Sequence, residues 1–206
     1  MKLNKILALA LSGVMAVSML AGCSTDGKDE GNTEVVPTTS NAVSVMNDAQ
    51  DYIEFKADAD FDAALAAAAK KATQSEVANA KYTVQNAGSS SVATELNKKL
   101  PVGESMTSDI IFATAPTANN TVTTKTVLYY IANDGLTEKA AVEQVADLLK
   151  DSYYPEIVNI SNANYKASYE GKISVVTVNT SDAGKTASAY YIAVSVTQTV
   201  GRDAVV

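Results

Sequence analysis

The chain of 206 residues contains no histidine and no tryptophan, one cysteine, four prolines and three phenylalanines. The missing histidine removes the commonest general base and the commonest metal ligand. With Cys23 alone there is no disulfide within the chain, so a hydrophobic core must supply the stability. Basic residues are also scarce, 16 against 23 acidic, for a net charge of −7. No cluster of them offers a surface for nucleic acid or anionic headgroups, so nucleic acid is not an expected partner. No Gly-x-Ser-x-Gly is present, and nothing in the chain can activate a serine through an imidazole.

What is present begins at the N-terminus. Lys2 and Lys5 precede an almost wholly apolar run from Ile6 to Leu20, followed by small residues. This is the three-part layout of an export signal, too short for a spanning helix. The positive end stays inside and the remainder is sent out. Leu20-Ala21-Gly22-Cys23 resembles the lipobox of bacterial lipoproteins, and the resemblance covers residues 1–24 only. It implies cleavage before Cys23 and a diacylglyceryl group on its sulfur. The competing readings are an ordinary cleaved signal and an uncleaved anchor. A two-chain anchor holds firmly where one chain binds reversibly, since each buried methylene contributes about 0.8 kcal/mol.

Cleavage at that point removes residues 1–22 with Lys2 and Lys5. It leaves 184 residues in which 14 basic face 23 acidic side chains, a net charge of −9. Residues 23–41 then read as the lipidated cysteine and a flexible, polar tether with a reach of about 20–25 Å. A single α+β domain is expected over 42–206. Its sheet should be antiparallel, of four to six strands from 108–200, with helices at 61–82 and 137–152 on one face.

Local signals place the elements. Asp58 or Asp60 opens an alanine-rich helix from Phe61 to Ala72. Thr73-Gln74-Ser75-Glu76 has capping-box spacing and starts another, through Tyr82. A short helix over Val92–Leu100 stops before Pro101. Strands are expected at Ser108–Ala115 and Thr121–Ala132, a helix at Thr137–Ser152, and one or two strands in Glu156–Glu170. Gly171 reads as a turn. Lys172–Thr180 and Thr186–Val200 read as a hairpin around Ser181–Lys185. Tyr129-Tyr130-Ile131-Ala132 recurs as Tyr190-Tyr191-Ile192-Ala193, which suggests two α-β-β halves, 42–134 and 135–206.

Candidate chemistry is sparse. Asp58, Asp60 and Asp62 match the first positions of a calcium loop, but Ala63 and Ala69 stand where glycine and glutamate are needed. Acids meeting free amides at a helix start are the better reading, and no metal or cofactor is expected. Gly184-Lys185-Thr186 resembles the tail of a phosphate loop, yet a strand follows it, so a hairpin turn is the reading. Six of the ten tyrosines come as adjacent pairs. On a strand one of each pair would face outward, offering a half-polar contact surface with Tyr129 and Tyr191 or their neighbours on it. The expectation is a non-catalytic, lipid-anchored module at the outer face of a bacterial membrane, contacting an envelope protein or glycan. An envelope hydrolase using paired carboxylates and an accessory solute-binding lipoprotein are the alternatives.

Overall fold

The computed structural model describes residues 32–37, 41–112 and 116–205. They form one seven-stranded sheet and five short helices. The spine is a long hairpin, β6 (Ala163–Asp182) and β7 (Lys185–Val205). Its two-residue turn, Ala183-Gly184, has both φ angles positive, 47° and 78°. That backbone matches the twist of paired strands, and glycine tolerates it without strain.

β4 (Val122–Ala132) lies antiparallel along β7, and the two-residue β3 (Gln85–Asn86) pairs with β4. On its other side β6 carries three short strands in succession. They are β5 (Ile157–Ile160), β2 (Glu54–Lys56, the one parallel pairing) and β1 (Asn32–Pro37). The mixed α+β class and the mainly antiparallel sheet agree with the sequence reading.

The helices do not sit on one face, as the sequence suggested, but on both. α2 (Ala59–Ala69), α3 (Gln74–Ala78) and α4 (Ser91–Asn97) pack with Leu128, Val176, Val178, Tyr191 and Ala193. α1 (Ala42–Ala49) and α5 (Glu138–Ala146) cover the opposite face with Val127, Ile131, Ile173, Ile192 and Val194. Successive strand residues alternate between these two cores, so β7 is buried without a break from Ala189 to Val196.

Helix starts obey their capping residues. Asp58 Oδ1 accepts from Phe61 N at 2.9 Å, and the capping box of Thr73 and Glu76 is complete. Ser90 and Thr137 cap α4 and α5. α5 ends at Ala146, six residues short of the expected end, which leaves Leu148 exposed and Leu149 buried. A 3₁₀ turn over Asp151–Tyr153 follows.

Four expectations are corrected. Residues 32–37 are not tether but strand β1, paired with β6 from Asn32↔Ser181 to Pro37↔Val176. Residues 108–112 are not a strand, although Ile110 and Phe112 are buried as their alternation suggests; Asp109 takes the Ile111 amide and Phe112 N donates to Tyr153 O. Gly171 is not a turn. It lies inside β6, where a Cβ would stand 2.5 Å from Phe55 Cε1, so glycine is there to admit the Phe55 ring. Among the described residues the two α-β-β halves do not appear, since α4 is followed by the single strand β4 and α5 by β5, β6 and β7. The repeated tetrapeptides are instead cross-strand neighbours, Tyr130 opposite Tyr191.

Candidate functional site

The two tyrosines singled out as an outer face are both buried: Tyr191 is 0% and Tyr129 8% exposed. They also lie on opposite sides of the sheet, since Tyr129 pairs with Ile192 and Tyr130 with Tyr191. An outward tyrosine needs an uncovered face, and helices cover both. Burial, reinforced by Asp109, pushes the Tyr129 hydroxyl up to about 12. Cys23 lies outside the described residues.

The register nonetheless builds something the sequence reading missed. Tyr130 and Tyr191 stack, with ring centroids 5.8 Å apart and planes 27° from parallel. Beside them opens a cavity of about 200 Å³ lined by Glu76, Asn86, Ala87, Ser89, Ser90, Tyr130 and Tyr191. Four pieces of chain meet there: α3, the segment from β3 into α4, β4 and β7. The available signal was the repeated Tyr-Tyr-Ile-Ala. Antiparallel strands carrying it place the two copies side by side when the register allows.

Glu76 organises the wall. As the last member of the capping box its Oε2 accepts from Thr73 N at 2.9 Å. The same carboxylate reaches across to α4, taking Ser91 N on Oε1 at 2.7 Å and Ser91 Oγ on Oε2 at 2.6 Å. Burial pushes its carboxyl up, but the hydrogen bonds from Ser91 and Thr73 outweigh this and hold it below its ordinary value. Glu76 is therefore ionised at neutral pH. Among the described residues it makes no ion pair, and no Lys or Arg lines the cavity.

The remaining polar groups differ in what they have left. Asn86 is committed, its Nδ2 donating to Ser108 O and its Oδ1 accepting from Gly88 N. Ser90 Oγ accepts from Ala93 N and keeps its own proton to give. The Tyr191 hydroxyl is buried and has no hydrogen-bond partner among the described residues. Burial first, then the Glu76 charge and Tyr130, push it well above the ordinary tyrosine range, so it stays protonated.

The other candidates resolve into structure. Asp58 caps α2 and pairs with Lys172 Nζ at 2.7 Å, which lowers its pKa. Among the described residues no group of three or more His, Cys, Asp or Glu is placed to hold a metal ion. Asp182 and Lys185 close the hairpin turn, as read for Gly184-Lys185-Thr186. Among the described residues no helix is long and apolar enough to cross a membrane. Compared with family models, with curated proteins and with solved structures, the chain matches none.

Proposed function

We propose that this protein is a lipid-anchored binding module at the outer face of a bacterial membrane. It acts without catalysis, and a diacylglyceryl group on Cys23 holds it there. One observation carries the anchor: Leu20-Ala21-Gly22-Cys23 stands at the end of a charged-then-apolar leader and supplies the chain's one cysteine. An exported, unpaired thiol is reactive, whereas a lipidated one is consumed. The binding role draws support from a cavity whose polar wall is preformed by the fold, in a chain without histidine. The partner is an envelope glycan or protein, and the acidic surface disfavours nucleic acid.

The anchor is tested with Cys23→Ser. The wild-type chain should pellet with membranes and release a lipid-modified N-terminal peptide. The variant should lose the modification and move to the soluble fraction. A variant that stays in the pellet to the same extent as wild type refutes the lipid anchor.

A further inference from the structure

We propose that Asp134-Gly135, in the turn between β4 and α5, is a site of spontaneous aspartate-to-isoaspartate rearrangement, and that the reaction slackens the docking of α5. This goes beyond the binding module above and does not rest on it.

The turn is open where the chemistry needs it. Asp134 and Gly135 are both exposed, and a Cβ built on Gly135 would meet nothing within 4 Å. Gly135 has a φ of 76°, a backbone that glycine takes freely. Its amide nitrogen therefore has no side chain of its own residue beside it. Among the described residues neither the Asp134 nor the Gly135 amide donates a hydrogen bond. Both flanks, in contrast, are pinned to β7. Asn133 N donates to Ser188 O at 3.0 Å, and Asn133 Nδ2 to Ser188 Oγ at 3.1 Å. On the far side the Tyr190 hydroxyl donates to Leu136 O at 3.1 Å. Between these fixed points the Tyr82 hydroxyl donates to Asp134 Oδ2 at 3.2 Å, a long bond from a side chain that is itself 66% exposed.

The reaction uses only water. The Gly135 nitrogen bonds to Asp134 Cγ when that carboxyl is protonated. The carboxyl hydroxyl leaves as water with the proton of the attacking amide, and a five-membered imide closes. Water then reopens the ring. Attack at the original main-chain carbonyl breaks its bond to the Gly135 nitrogen, which stays joined to Cγ. The product is isoaspartate, with the former main-chain carbonyl freed as a carboxylate.

The main chain now runs through Asp134 Cβ and Cγ and is one methylene longer, about 1.5 Å. With both flanks held to β7, the slack falls at the start of α5. Leu136 packs against the core there, and Thr137 Oγ1 takes the Ala140 amide as the helix cap.

The test holds the full chain for weeks in warm, mildly acidic buffer. Peptide mapping follows, with electron-transfer fragmentation to separate isoaspartate from aspartate. The 134 peptide should lose and then regain the mass of one water, and isoaspartate should accumulate there. Asp182, on an equally exposed turn but before Ala183, should stay aspartate. A synthetic peptide of residues 131–138 supplies the unfolded rate, which the folded chain should approach. Gly135→Ala, whose methyl crowds the attacking nitrogen, should lower the yield severalfold, with circular dichroism checking the fold. Asp134→Glu would need a six-membered ring and should not react. Amide exchange over residues 136–142 should quicken in aged wild type and stay unchanged in equally aged Asp134→Glu. No isoaspartate at 134 once the synthetic peptide has converted overturns the site, and so does conversion no faster than at Asp182. Isoaspartate with unchanged exchange, or exchange that quickens equally in Asp134→Glu, overturns the slackening. Asp26-Gly27, the other Asp-Gly pair, lies outside the described residues and falls in a separate peptide. None of these outcomes depends on whether Cys23 is lipidated, which fractionation reads separately.

Discussion

The two faces of the sheet are built from different residues and solve the tyrosine problem differently. The face under α1 and α5 carries an aromatic cluster. Tyr154 stacks on Tyr52 at 5.5 Å and meets Tyr169 edge-on at 5.3 Å, with Phe112 tilted against Tyr154 and Tyr169. Two of its hydroxyls are tied to backbone carbonyls, Tyr52 to Leu149 and Tyr169 to Pro155. The face under α2, α3 and α4 is rich in alanine, bears the Tyr130–Tyr191 pair and leaves a cavity beside it. Among the described residues each face buries one tyrosine hydroxyl without a partner, Tyr154 on one and Tyr191 on the other. Tyr154 packs among rings, while Tyr191 stacks on Tyr130 and feels the charge of Glu76. On both faces that oxygen carries the cost of a buried hydroxyl with no partner among the described residues.

That contrast can be broken by substitution. The largest effect is expected from Gly171→Ala on the aromatic side. The added methyl would overlap the buried Phe55 ring, and overpacking of this kind costs about 1–3 kcal/mol. Phe55→Leu in the same chain should recover part of the loss. Urea unfolding of the single and double variants measures both, and strict additivity would show that the ring is not the obstacle.

A smaller effect should come from Glu76→Gln on the cavity side, about 1–2 kcal/mol for weakened charge-assisted hydrogen bonds to Thr73 and Ser91. It carries a pH signature. Because the folded carboxyl titrates below its unfolded value, its contribution is complete above the ordinary glutamate pKa of about 4.3. It is lost as pH falls through the lower, folded value. Stability of wild type and variant should therefore converge on acidification below about pH 4.3. A constant gap down to low pH would mean that Glu76 acts through packing alone.

The smallest effect is expected from Tyr154→Phe, neutral or stabilising by up to about 1 kcal/mol, since it deletes a buried hydroxyl with no hydrogen-bond partner among the described residues. A clear loss of stability in thermal unfolding would reveal a partner for that oxygen.

Much of the fold was legible because its signals are local. Asp58, Thr73 with Glu76, and Thr137 mark helix starts, and Ser181–Lys185 sits between two β-branched stretches as a hairpin turn. What was misread depends on residues far apart in the chain. Nothing near Gly171 announces that Phe55 will lie against it. The polar Asn32–Pro37 segment becomes a strand because β6 offers it an unpaired edge. The cavity joins Glu76, the 86–90 segment, Tyr130 and Tyr191. Period-two alternation could place the tyrosines on faces but could not say that both faces would be covered. The Glu76 carboxylate was recognised as a cap, and its second bond set to Ser91 was not, since that link needs α3 and α4 already docked.

The starting point of β1 has a geometric corollary. Asn32 lies opposite Ser181, beside the tip of the β6–β7 hairpin. Only residues 24–31 separate it from Cys23, a leash of at most about 30 Å when pulled straight. If that sulfur carries the proposed fatty tails, the molecule would be moored by its hairpin end. Tyr191 lies six positions along β7 from Lys185, about 20 Å from the tip. The mouth beside it would then hover within a few nanometres of the lipid, so anything captured there is met at the surface rather than out in the bulk.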